Sequence, residues 1–176
     1  MNQSFDTQLQ VVLRALGEVV LPALGGAEKH VVEQLHLSMA ALTLMSERLP
    51  HARRFYRGEL LVYGALADAV ADIIGTHAPS DADDLRSFAQ SARTLLQSAT
   101  AEWTDYIDAT RDLRARVAGV TERSAGAPYE QALDQLVIAT STDLHLQSRL
   151  WCLPFGFELK PEDLPKPAWL GQAEKL

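Results

Sequence analysis

The residues best placed to do chemistry lie in Pro50-His51-Ala52-Arg53-Arg54-Phe55-Tyr56-Arg57. Three arginines and a histidine fall within two turns at the start of a helix. That end of a helix favours anions, so cations there run against the dipole. Free N–H groups and guanidinium forks at one point suit a phosphate, carboxylate or sulfate. Arg53, Arg54, Arg57, His51 and Tyr56 are therefore the candidate ligand or anion site, with Phe55 and Tyr56 able to stack a ring. The favoured expectation is that Glu47, Glu59 or the acidic run Asp81–Asp84 neutralises these cations; binding of an anion or a partner is the alternative.

A second constellation is Glu33-Gln34-Leu35-His36, with His30 nearby. Glu-x-x-His places both side chains on one helix face, as carboxylate-bridged metal bundles require. A full site needs a second such pair, and His51, His77 and His145 all lack a glutamate three positions earlier. Glu33 and His36 are thus only a weak metal candidate. A solvated glutamate beside a boundary histidine is the expected case, and no metal or cofactor is expected.

Tyr63, Trp103, Tyr106, Tyr129 and Trp151 form a third set, able to line a pocket between helices. Core or dimer contacts are the commoner fate of such side chains. Cys152, between Trp151 and Leu153-Pro154-Phe155, reads as a buried, inert thiol. The chain contains no Gly-rich phosphate loop, Gly-x-Ser-x-Gly elbow or Cys-x-x-Cys. No catalytic residue is assigned.

Composition narrows the classes further. Sixteen basic and 23 acidic residues in 176 give a net charge of −7. That argues against a nonspecific nucleic-acid binder, whose affinity comes from clustered cations. One cysteine excludes an internal disulfide and a multi-cysteine zinc site. No basic n-region precedes an apolar run at the N-terminus. The longest uncharged apolar stretch, between Glu33 and Glu47, falls short of the roughly 20 residues of a membrane span. A cytoplasmic protein without nucleic-acid or membrane partners is expected.

The elements that must position these residues are helices, because apolar residues recur in steps of three and four almost throughout. Phe5, Leu9, Val12, Leu16 and Val19 mark a first helix, capped by Ser4 or Asn2 and ended by Pro22 and Gly25-Gly26. Val32, Leu35, Met39, Leu42 and Leu49 mark a second, over about 27–48. Its further apolar residues Leu37, Leu44 and Met45 suggest a central helix or an oligomer interface. Tyr56, Leu60, Tyr63, Ala67, Val70 and Ile74 mark a third, with Pro50 in its first turn.

The fourth starts at Ser80 or Asp81 and meets no Gly or Pro up to Ala118. One helix of about 40 residues, near 60 Å long, is expected. Its heptad pattern stutters at Ala99–Trp103, so a bend is expected there. Pro128 opens a fifth helix carrying Tyr129, Leu133, Leu136, Val137, Leu144 and Trp151. Four prolines then exclude a regular helix, while Leu153, Phe155, Phe157, Leu159, Leu164, Trp169 and Leu170 are too apolar for a free linker.

The expected architecture is all-α: an antiparallel bundle of about five helices over 1–151, with a Pro-rich extended arm over 152–176 packing on the bundle or on a second subunit. The expected function is a non-enzymatic interaction or regulatory module, a homodimer or an accessory subunit of an enzyme. The alternative is a binder of an anionic acyl or aromatic ligand, its head group at Arg53, Arg54 and Arg57. A metal-dependent bundle enzyme using Glu33 and His36 is a weaker third reading.

Overall fold

The computed structural model describes residues 4–167; Asn2, Trp169 and Leu170 lie outside the described residues. The fold is all-α, with no strand among the described residues. Helices α1 (Phe5–Ala15), α2 (Leu21–Ala23), α3 (Lys29–Arg48), α4 (Ala52–Ile74), α5 (Pro79–Gln97), α6 (Trp103–Arg123) and α7 (Glu130–Trp151) follow one another along the chain. Two compact units result: residues 52–146, and residues 1–51 together with 147–176.

The unit 52–146 holds the hydrophobic core. Leu60, Ala67, Val70, Ala71 and Ile74 of α4 are buried against Ala82, Leu85, Ala89 and Ala92 of α5 and Tyr106, Leu113, Val117 and Val120 of α6. Each large aliphatic residue contributes about 1.5–3 kcal/mol by leaving water. Small residues let α4 and α5 approach closely; a Cβ at Gly64 would lie 3.9 Å from that of Ala92. Ion pairs set the directions. Arg93 pairs with Asp68 and Arg86 with Asp72, which makes α5 antiparallel to α4. Arg116 pairs with Asp84 and Arg123 with Asp81, which turns α6 back along α5. From the start of α7, Leu133 completes the core, with Tyr129, Leu136 and Val137 packed against it.

The expected 40-residue helix is two helices. α5 stops at Gln97, where Ser98 turns extended (ψ 124°). α6 restarts at Trp103 behind a capping box: the Glu102 side chain takes the Asp105 N–H, and Asp105 takes the Glu102 N–H at 2.8 Å. The box satisfies orphan N–H groups that a continuous helix would not expose, so the stutter marks a break rather than a bend. Other ends differ by a residue or two. Pro79, rather than a residue after Ser80 or Asp81, opens α5, and its N-cap Ala78 supplies no side-chain bond. α7 begins at Glu130, two residues after Pro128.

In the other unit, Ser4 caps α1, its Oγ accepting the Thr7 N–H at 3.2 Å. The chain does not stop before Pro22. It widens into a π-helical turn over Leu16–Val20 and continues as α2. The widening immediately precedes Pro22, whose ring would meet the Glu18 carbonyl in a regular helix. Leu9, Leu13 and Leu16 of this segment are half-buried. Phe5, Val12 and Val19 of the expected apolar stripe are instead exposed. Gln10 and Asp6 bond to Ser46 of α3, at 3.0 and 3.1 Å.

Residues 152–167 belong with this unit. They are not extended throughout: 3-10 turns form at Leu153–Phe155 and Pro161–Asp163, each with proline in the first turn, where its missing N–H costs nothing. Arg149 clamps the segment through two bonds to Glu158, at 2.8 and 2.9 Å. Cys152, expected to be buried, is exposed.

Candidate functional site

The first turns of α4, the last turn of α5 and the first turn of α6 share one end of the 52–146 unit. The α5–α6 break leaves carbonyl oxygens there without helical donors. Two arginines of the sequence cluster take them. Arg57 donates to the Leu96 carbonyl oxygen at 3.2 Å, and Arg53 Nε to that of Ala101 at 3.4 Å. Arg57 thus serves the negative end of α5, where the dipole favours a cation, while Arg53 meets a carbonyl of the connecting loop just before α6. The sequence alone hides this compensation, because the acceptors are backbone atoms some 40 residues away.

The carboxylates expected to offset these arginines are engaged elsewhere. Asp81 and Asp84 pair with Arg123 and Arg116. Glu47 lies 3.8 Å from Arg48. Glu59 is half-buried and interacts with Arg114; burial raises its carboxyl above the ordinary value and Arg114 opposes the rise. Neither Arg53 nor Arg57 pairs with a carboxylate among the described residues. Among the described residues their charges are met by carbonyl dipoles and, for Arg53, by an aromatic ring.

Aromatic rings complete the patch. Tyr56 stacks on Trp103 with centroids 5.7 Å apart and planes at 23°. Phe55 meets Tyr56 edge-on at 5.2 Å. Trp103 stays 39% exposed. The stacked rings touch, so no slot for a third ring lies between them. The Arg53 guanidinium sits 6.0 Å from the ring centroid of Tyr106, a cation–π contact. Arg54 is half-buried and has contacts of its own.

The remaining sequence candidates are dispersed. Tyr106 is fully buried in the core, and its hydroxyl and that of Thr110 find no hydrogen-bond partner among the described residues. Tyr63, in mid-α4, lies under Arg114 at 5.7 Å, and burial pushes its hydroxyl pKa up. Tyr129 packs on His77 at 4.9 Å, beyond the far end of α4 and about 30 Å along its axis from Tyr56. These rings do not line one pocket. His51 and Trp151 belong to the other compact unit.

In that unit Glu33 pairs with Lys29 at 3.3 Å and His36 is exposed. No group of three His, Cys, Asp or Glu side chains able to hold a metal occurs among the described residues. There, too, lies a residue the sequence reading passed over. Arg48 is buried at the end of α3, donating to the carbonyl oxygens of Trp151 (2.9 Å) and Leu150 (3.4 Å). Its guanidinium lies 5.9 Å from the Trp151 ring centroid. Burial lowers its pKa, with Glu47 and Cys152 opposing. Its one sequence signal was a cation in the last turn of a helix.

Among the described residues no helix is long and apolar enough to cross a membrane. Comparison with protein-family models, curated proteins and solved structures finds no match to this chain.

Proposed function

We propose that the chain is a non-enzymatic, cytoplasmic helical interaction module, working as a homodimer or as the accessory subunit of an enzyme. Its patch of Arg53, Arg57, Tyr56 and Trp103 receives an acidic segment of a partner protein. The observation that carries this reading is the pairing of both guanidinium groups with carbonyl oxygens instead of carboxylates. A guanidinium has five N–H donors, so each arginine keeps donors to offer a carboxylate. Arginine, tyrosine and tryptophan are also the residues that dominate protein interfaces. The closed Tyr56–Trp103 stack favours a partner laid across the surface over a small molecule enclosed in it.

The test uses a fluorescein-labelled peptide of six glutamates and one phenylalanine, with the lysine counterpart as control. Anisotropy should show binding of the glutamate peptide at low salt, and Arg53→Gln or Arg57→Gln should weaken it at least fivefold with an unchanged circular dichroism spectrum. Absence of glutamate-peptide binding, or binding indifferent to both substitutions, overturns the reading.

A further inference from the structure

The patch at the start of α4 has two chemically different halves. One is cationic. Arg53 and Arg57 lie one turn apart on α4 and are both exposed, with Arg53 Nε on the Ala101 carbonyl oxygen and Arg57 on that of Leu96. The other is Trp103, the first residue of α6. Tyr56 stacks on the indole with centroids 5.7 Å apart, and Trp103 still keeps 39% of its surface exposed. An indole set at a helix end and backed by a second ring is a firm platform. It has little side-chain freedom left to lose when another ring lands on it.

The backbone sets the distance between the halves. Ala101, which anchors Arg53, is two residues before Trp103, so their Cα atoms are at most about 7 Å apart. In an extended segment, side chains on one face recur at about that interval, every second residue. Charge decides what each half accepts. Glu102 and Asp105 flank Trp103, with their carboxylates on N–H groups at the start of α6. They oppose a further acid at the indole, and Arg53, bonded at the neighbouring Ala101, opposes a base there. A neutral ring meets no like charge at that position and gains the contact with the indole.

We infer that the acidic segment received by this patch is anchored by an aromatic residue, which lies against Trp103 about two positions from the carboxylate held by the arginines. This rests on the function proposed above and adds to it the residue that must accompany the acids. Trp103 is then the specificity-determining contact, and Arg53 and Arg57 supply the attraction.

Anisotropy at low salt compares four fluorescein-labelled peptides. The first has six glutamates with a phenylalanine two positions from the run. The second has alanine in place of the phenylalanine, and the third has lysine there. The fourth carries the phenylalanine about ten residues away on a Gly-Ser spacer. The first should bind about threefold or more tighter than each of the others. That ratio should vanish in Trp103→Ala and survive in Trp103→Phe, which keeps a ring. Tryptophan emission is a second readout. In a Trp151→Phe/Trp169→Phe background, the unlabelled first peptide should shift Trp103 emission to the blue by displacing water, more than the alanine peptide does at saturation. Equal binding of the phenylalanine and alanine peptides, tighter binding of the lysine peptide, a gain undiminished by the spacer or a gain that survives Trp103→Ala overturns the aromatic anchor and leaves the acidic partner standing. Binding of none of the four overturns both.

Discussion

Replacing Tyr106 with phenylalanine should stabilise the protein, against the usual cost of losing a buried hydroxyl. Tyr106 has no exposed surface, and its hydroxyl has no hydrogen-bond partner among the described residues. Burying an unsatisfied hydroxyl costs about 1–3 kcal/mol. Phenylalanine keeps the ring, its packing and its place beneath the Arg53 guanidinium. The expected gain is about 1–2 kcal/mol, or roughly 2–8 °C in Tm for a domain of this size.

Urea denaturation followed by fluorescence with 295 nm excitation measures it. Trp103 reports on 52–146, and a Trp151→Phe/Trp169→Phe background removes the other two tryptophans of the chain. Thr110→Val should act in the same direction, because the Thr110 hydroxyl is likewise unpaired. A loss of 1 kcal/mol or more in Tyr106→Phe would show that the hydroxyl is satisfied in the folded protein, and the argument would be refuted.

Three other outcomes follow from the same contacts. Arg48→Met leaves the Leu150 and Trp151 carbonyl oxygens without their donor; after the relief of guanidinium burial the net loss is about 1–3 kcal/mol, read as faster amide exchange at the end of α7, and Arg48→Lys should not restore the two-pronged contact. Glu59 has its pKa raised by burial, so the folded state holds that proton more tightly than the unfolded chain does. Its stabilising contribution is complete below the unfolded value and lost as pH rises through the folded one, so the advantage of Glu59→Gln over wild type in urea melts should grow from acid toward neutral pH. Gly64→Ala should be neutral or stabilising by up to about 1 kcal/mol, since its Cβ meets Ala92 at an ordinary distance, whereas Gly64→Leu should cost about 1–3 kcal/mol by forcing α4 and α5 apart in the same melts.

Much of the architecture was legible in the apolar period. The α4 stripe Leu60, Ala67, Val70 and Ile74 is core because steps of three and four keep those residues on one face. Period alone misled at α1, where two apolar stripes compete and Leu9, Leu13 and Leu16 take the inner side. It also failed at 98–102, where no glycine or proline announces the break and a capping box decides it. The arginine cluster was visible as a violation of the helix dipole. Its resolution was not, because a sequence shows side-chain carboxylates but not which backbone carbonyls a break will strand. Arg48 was missed for the same reason: its acceptors are main-chain oxygens about a hundred residues away.

The choice of acceptor for Arg57 also divides the ties of α5 into two kinds. Arg86, Arg93, Arg116 and Arg123 hold aspartates, and each of those links needs a charged side chain at both ends. The links from Arg57 to Leu96 and from Arg86 to Ala71 end instead on peptide carbonyl oxygens, one in each half of α5. A carbonyl belongs to the main chain and stays in place whatever side chain its own residue carries. The fastening of α5 to α4 at these two points therefore depends on the arginines alone and tolerates sequence change at Leu96 and Ala71 that the aspartate pairs would not tolerate at Asp68 or Asp84.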